Sequence, residues 1–260
     1  MTIVRYSPDQ QGKGAFDGGN ITEQKPIGFP GEGGAVKRVG PLFYWAWAFA
    51  PVEGYIPRHP HQAFEILTYV VQGTGVHGDS LGTDSRIGPG GVQVMQTGSG
   101  VSHEERFVGP DMEGFQIWFE PDLRRSRLQP PTYRQFEHEQ FPIERSRGVV
   151  VKQVIGGSAP VELVTDAAMW DVTLSPGSVY RYELAAGRSL SVLAIRGNGT
   201  AAYAEEGAAS SVRLAHTDFA VIAAEADRTV ELSADNAGEE LRLIAIEVPT
   251  AVDYPLYNKR

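Results

Sequence analysis

Two short motifs hold the residues best suited to chemistry, His59-Pro60-His61 and His103-Glu104-Glu105. On a β-strand, residues i and i+2 project to the same face. His59 and His61 therefore project together, and so do His103 and Glu105. If the two strands face each other inside a barrel, three neutral imidazoles and one carboxylate converge on one point. Such a donor set suits Fe(II), Mn(II), Ni(II), Cu(II) or Zn(II). A six-coordinate ion held this way keeps two positions for water, dioxygen or substrate oxygens, and open positions separate a reactive site from a closed structural one. Either motif alone is a weak signal. Their combination across a Gly/Pro-rich stretch, which a barrel uses to return a strand to the same mouth, is a stronger one.

The elements around these motifs read as strands. Gly (30) and Pro (17) are scattered along the 260 residues, with short apolar stretches between them. Examples are Glu65–Gln72, Gly91–Met95, Gly114–Phe119, Val149–Ile155, Val192–Ile195, Phe219–Ala223 and Leu241–Val248. Strands punctuated by turn residues at such spacing predict an all-β sandwich or barrel. No stretch sustains helical periodicity over three turns, and the one helix candidate is Pro130–Glu139. In the run Phe43–Phe49, period two puts Phe43, Trp45, Trp47 and Phe49 on one face, read as core, and Tyr44, Ala46 and Ala48 on the other. The polar segment 121–148, with Pro130-Pro131 and basic clusters at 124–127 and 145–147, reads as a solvated linker joining two β domains. The Pro-Gly turns at 89–90 and 176–177 hint at a duplicated module.

Composition excludes other chemistry. With no cysteine, disulfides, thiolate metal sites and a Cys nucleophile are ruled out. Lys plus Arg is 23 and Asp plus Glu is 32, a net charge of −9, which argues against a nucleic-acid backbone as partner. The first residues show no apolar leader, and the longest apolar run, Pro41 to Val52, is too short for a membrane helix. The expected partners thus include neither membrane nor nucleic acid, and the expected compartment is the cytoplasm. No P-loop or strand–Gly-x-Gly-x-x-Gly–helix unit is present, and Gly98-Ser99-Gly100 is no nucleophile elbow.

The stretch from His59-Pro60-His61-Gln62-Ala63-Phe64-Glu65 to Tyr69-Val70 resembles the first cupin motif as pirins carry it. The likeness continues through His77-Gly78-Asp79-Ser80-Leu81-Gly82, Ile87-Gly88-Pro89-Gly90-Gly91-Val92-Gln93 and Gly98 to Glu105. It is strong over 59–105 and faint elsewhere. The resemblance implies a bicupin: two tandem antiparallel β-barrels of the jelly-roll, cupin type, packed face to face. Residues 1–135 would form the metal-binding N-terminal cupin domain and 136–260 a C-terminal cupin domain without metal ligands. The family's metal ligands fall on His59, His61, His103 and Glu105, with Fe(II) as the first expected ion. Some pirins open the heterocycle of flavonols such as quercetin with dioxygen; others are redox-sensitive regulators acting through a protein partner.

Departures from the family pattern concern the surroundings of the ligands. Gln62-Ala63 stands where Arg-Gly is usual, Gly91 where Asp is usual and Val94 where Trp is usual, while Tyr44–Phe49 replaces a segment that commonly holds an acidic pair. Glu65 shares the parity of His59 and His61 if the strand is unbroken, and so competes with Glu105 for the carboxylate role; the pirin pattern favours Glu105. Glu104 alternates outward. His77 reads as a turn histidine bonded to Asp79 or backbone, His138 as exposed and His216 as isolated.

Three functions compete on this reading. The first is a metal-dependent dioxygenase of the quercetin 2,3-dioxygenase type, acting on an aromatic or enol substrate bound as its anion, with Glu105 as catalytic base. The second is a metal-binding redox-responsive regulator without turnover. The third is a metal-free ligand-binding β protein.

Overall fold

The computed structural model describes residues 2–205 and 208–259. They form two compact units, and almost all of their regular structure is β. The opening strand β1 (Thr2–Tyr6) belongs to the second unit, described below.

The first unit comprises Gln11–Gln140, Leu163–Thr165 and the tail Asp253–Arg260. Its strands are β2 (Gly12–Phe16), β3 (Ile21–Ile27), β4 (Leu42–Ala50), β5 (Gly54–His61), β6 (Glu65–Asp79), β7 (Asp84–Ile87), β8 (Val92–Gln96), β9 (Val101–Phe119) and β10 (Thr132–Phe136). All belong to one antiparallel sheet with the order β10-β8-β6-β9-β4-β3-β2, while β5 pairs β9 and β7 pairs β6. Two strands are long enough to serve both ends of this sheet. The first part of β9 pairs with β5 and the far end of β6, and its last part pairs with β4 and the start of β6. The β6–β9 ladder is irregular around Gln72 and Thr74. Gly73 sits there at φ +77, where a Cβ would meet Met112 Cα at 2.8 Å. Bulges bend a strand, and this one lets the two parts of β9 contribute to one interior.

The aromatic run forms β4, and nearly all of it is buried on both faces. The expected separation of faces fails at Phe43. The β4–β9 register slips between Leu42 and Tyr44, which removes Phe43 from the alternation and joins it to Tyr44 and Ala46 in a cluster with Phe29, Phe64 and Trp118.

The second unit comprises residues 1–10, Phe141–Glu162 and Asp166–Val252. Its further strands are β11 (Ile143–Ser146), β12 (Val149–Ile155), β13 (Ala168–Leu174), β14 (Val179–Leu184), β15 (Arg188–Arg196), β16 (Gly199–Glu205), β17 (Ala208–Leu214), β18 (Phe219–Ala223), β19 (Arg228–Ala234) and β20 (Leu241–Pro249). A seven-stranded sheet, β1-β18-β15-β20-β13-β12-β11, accompanies a four-stranded one, β14-β19-β16-β17. Alternate apolar residues such as Val172, Leu190, Val192, Val230, Leu232 and Leu243 fill its core.

The segment 121–148 is structured rather than a linker. Asp122 caps a four-residue helix, α1 (Leu123–Ser126), through its side chain to Arg124 N. The expected helix at 130–139 is instead β10, with Tyr133 opposite Met95 and Gln135 opposite Gln93. Thr-Tyr-Arg-Gln-Phe alternates, and a waiting edge on β8 outweighs weak local helix propensity. A single cut at 135/136 also differs from the units seen here. Thr2–Tyr6 pairs with β18, which places the N-terminus in the second unit, and the tail 253–260 lies in the first. No helix of the described residues is long and apolar enough to cross a membrane.

Candidate metal centre

The sequence places His59 and His61 at the end of β5 and His103 near the start of β9. These strands pair with His59 directly opposite His103, after an irregularity between Ile56 and His59. Alternation does the rest: Val101, His103, Glu105 and Phe107 are all buried, while Ser102, Glu104 and Arg106 turn outward. One ligand nitrogen from each of His59, His61 and His103 lies within 4.8 Å of the others. Ring centroids are 4.5 to 4.9 Å apart.

Hydrogen bonds around the rings decide which nitrogens face the centre. The Nδ1 of His59 lies 2.8 Å from the carbonyl oxygen of Pro57. A carbonyl only accepts, so this Nδ1 carries the proton and Nε2 of the neutral ring is a bare acceptor. That Nε2 lies 3.0 Å from Nε2 of His103. The Nε2 of His61 is buried without a hydrogen-bond partner. Burial, aided by the neighbouring imidazoles, holds His61 and His103 down at about 3, so both rings are neutral near pH 7. Three imidazole nitrogens gathered around one point, with His61 Nε2 buried and without a hydrogen-bond partner, fit a cation. Two nitrogens each about 2.1 Å from one ion and at right angles are about 3.0 Å apart.

Glu105 is buried on the His103 face, beside but outside the three-histidine group. Its Oε2 accepts a 2.7 Å bond from Gln116 Nε2, and Oε1 a long 3.5 Å bond from Thr68. Gln116 is itself oriented, because its Oε1 accepts from Trp118 Nε1 at 3.0 Å. Trp118 meets His61 edge-on at 4.7 Å and joins Phe43, Tyr44 and Phe64 in an aromatic wall. A cavity of about 490 Å³ opens beside His61, lined also by Gln62, Ser80, Gly100 and Ser102.

The competing carboxylate is elsewhere. The strand breaks at Gln62-Ala63-Phe64, with Ala63 at φ +71, so the parity argument for Glu65 does not carry through. Glu65 is fully buried and accepts bonds from Val164 N (2.7 Å), Thr165 N (2.9 Å) and Gln96 Nε2 (2.8 Å). It anchors the Leu163–Thr165 segment. Glu104 is half-buried and binds Tyr55 OH at 2.7 Å and Arg58 at 3.2 Å. His138 and His216 are exposed. His77 does contact Asp79, Nε2 to Oδ2 at 2.9 Å, yet it is deeply buried and 3.5 Å from His103, a neighbour the sequence did not disclose. Gln116 and Trp118 also escaped the sequence reading. Their alternation on a strand was visible, but which face meets the histidines depends on the bend of β9.

Comparisons with known proteins agree with this architecture. The family profile described as Pirin matches residues 48–119. A pirin-like protein of Caulobacter vibrioides is 32% identical over 190 residues, 70% of this chain and 68% of that protein. A Vibrio cholerae relative provisionally named as a quercetin 2,3-dioxygenase is 33% identical over 141 residues, 54% of this chain and half of its own length. The crystal structure of the Escherichia coli pirin YhhW in complex with nickel(II) superposes with a TM-score of 0.75 at 20% identity, covering 95% of this chain and 99% of that one; it speaks for the fold. With the Pirin profile matched over 48–119 and 32% identity spanning 68% of the Caulobacter vibrioides protein, the chain belongs to the pirin family of the cupin superfamily.

Proposed function

We propose that this pirin is a metal-dependent dioxygenase acting on a planar phenol or enol, with a flavonol such as quercetin as the leading substrate class. The observation that carries the reading is the convergence of Nε2 of His59 and Nε2 of His103, 3.0 Å apart, beside the buried, unpartnered Nε2 of His61. In this reading His59, His61 and His103 hold a divalent cation in the N-terminal barrel, with Glu105 as the fourth ligand. Fe(II) is the first candidate, with Mn, Ni, Cu and Zn as alternatives. Such an ion supplies Lewis acidity and open positions for an anionic substrate oxygen and dioxygen.

The chain's own residues do the remaining work. Trp118 and Phe64, partly buried against the Phe43–Tyr44 cluster, offer the apolar face beside His61 on which an aromatic ring packs. The cavity at His61 admits the substrate. In this reading Glu105, whose Oε2 accepts from Gln116 Nε2, also serves as the base for the substrate hydroxyl. In this reading the described residues of the C-terminal domain contribute no ligand, and the protein works in the cytoplasm. Support comes from family membership and from the provisional dioxygenase name of the Vibrio cholerae relative; nickel in YhhW supports the donor set.

The test is elemental analysis, then anaerobic Fe(II) reconstitution and oxygen uptake over a panel of flavonols and enols. Oxygen consumed in proportion to product is the expected result. Stoichiometric metal without oxygen uptake on any member overturns the enzymatic reading in favour of a regulator acting through a protein partner. Absence of stoichiometric metal removes both.

A further inference from the structure

Asp79, at the end of β6, is buried, and its Oδ1 accepts bonds from Leu81 N at 2.8 Å and Thr83 N at 3.0 Å. Its Oδ2 faces Nε2 of His77 at 2.9 Å. An ionised carboxylate only accepts, so His77 Nε2 carries the proton, and Nδ1 of the neutral ring is then a bare acceptor. The group facing that acceptor is Nδ1 of His103, 3.5 Å away. His103 therefore keeps its proton on Nδ1 and presents Nε2 as an acceptor, 3.0 Å from His59 Nε2. The His77 ring has little freedom to turn. It lies flat against Tyr133, centroids 4.4 Å apart and planes 18° apart, and the Tyr133 hydroxyl is itself bonded to Ser85 at 2.5 Å.

We infer that Asp79 and His77 are positioning residues that fix the tautomer and orientation of His103, so that its Nε2 is ready for a cation without reorganisation. The inference rests on the metal reading above. It departs from the turn-histidine reading of His77, because the contact with Asp79 is one half of a relay that ends on His103. Outer partners that orient a metal-binding histidine are typically worth 10- to 100-fold in affinity.

The decisive measurement is the long-range ¹H–¹⁵N spectrum of the ¹⁵N-histidine-labelled full chain at pH 7.5, metal-free and Zn²⁺-loaded. The expected result is an Nδ1–H tautomer for His103 and an Nε2–H tautomer for His77 in the metal-free protein. Ni²⁺ titration then compares wild type with Asp79→Asn and His77→Ala. Both variants are expected to bind 10- to 100-fold more weakly, and Asp79→Asn to redistribute the His103 tautomers. Tyr133→Phe keeps the ring stack and is expected to bind as wild type does. An Nε2–H tautomer for His103 in the metal-free wild type overturns the inference whether or not the variants fold, as does wild-type Ni²⁺ affinity in Asp79→Asn. Failure of the wild type to bind Ni²⁺ or Zn²⁺ at all instead removes the metal reading.

Discussion

The Nε2 atoms of His59 and His103 face each other at 3.0 Å across the β5–β9 pair. His59 Nδ1 faces the carbonyl of Pro57, and on the His103 tautomer inferred above this contact pairs two acceptors. A cation relieves it; a hydrogen bond does not. A metal that binds the folded chain stabilises it by about 2.7 kcal/mol at a hundredfold excess over Kd. Adding Ni²⁺ or Fe(II) to chelator-treated protein is therefore expected to raise Tm by several degrees. His59→Ala, His61→Ala and His103→Ala are each expected to abolish that rise and the stoichiometric metal while leaving the fold intact. Calorimetry with and without metal checks both effects. Full occupancy in all three variants would remove the site.

The two carboxylates once in competition are separable by mutation. Glu65→Ala removes the acceptor for Val164 N, Thr165 N and Gln96. Charged hydrogen bonds contribute about 1.5–3 kcal/mol each, so a stability loss of about 3 kcal/mol or more is expected, with metal stoichiometry unchanged. Gln116→Ala has the opposite signature. It releases Glu105 from its 2.7 Å partner, and metal affinity is expected to fall about 10- to 100-fold with a smaller change in Tm.

Ala63 occupies the left-handed region at φ +71, between the strand bearing His61 and the strand opened by Glu65. A Cβ there costs about 1–2 kcal/mol that glycine does not incur. Its peptide is tied down on both sides, N–H to Gly98 O and C=O from Ser126 Oγ, so the turn does not relax. Ala63→Gly is expected to stabilise the protein by about 1 kcal/mol, offset in part by unfolded-state entropy. A denaturant midpoint below that of the wild type would contradict the backbone assignment.

Where a single strand's alternation decides the outcome, the sequence was readable. The limits of Val149–Ile155 and Phe219–Ala223 coincide with the strands observed, and period two on β5 and β9 suffices to bring three imidazoles together once those strands pair. What depended on partners far along the chain was not legible. Phe43 leaves the alternation because of a register slip against β9, and Pro130–Glu139 becomes a strand because β8 offers an edge. Gln116 reaches Glu105, eleven residues away on the same strand, only because β9 bends. His77 looked like a turn residue because sequence shows Asp79 beside it and hides His103 behind it.

Glu23 supplies a pH-dependent test away from the histidines. It is buried, with Lys25 at 3.1 Å, and Lys25 is shared with Glu32 at 2.6 Å. Burial pushes its carboxyl above the usual range despite the opposing pull of Lys25. A raised folded-state pKa means that folding favours the protonated form; the associated stability is present at low pH and lost as pH rises through the folded value. Glutamine mimics the protonated acid. Glu23→Gln is expected to melt higher than wild type at pH 8, the advantage shrinking to nothing as pH falls toward 4. A constant difference across that range would contradict it.

The tail Asp253–Arg260 tests how far the aromatic wall depends on its cover. Tyr254 OH donates to Glu120 O at 2.8 Å, Tyr257 N donates to the buried Glu120 carboxylate, and Arg38 bridges that carboxylate and Tyr257 O, both at 2.8 Å. Lys259 Nζ donates to Lys37 O and Phe43 O at 2.8 and 2.5 Å and lies 4.2 Å from the centre of the Phe43 ring. Phe43 in turn stacks on Trp118, which touches His61. Truncation after Val252 is expected to lower Tm by several degrees, since it leaves Glu120 with fewer donors and uncovers Phe43. Metal affinity is expected to stay within about threefold of wild type, because strand pairing rather than the tail fixes the three imidazoles, and loss of a group that orients a ligand costs 10-fold or more. A larger loss would show that the chain Lys259–Phe43–Trp118–His61 transmits position to the metal centre.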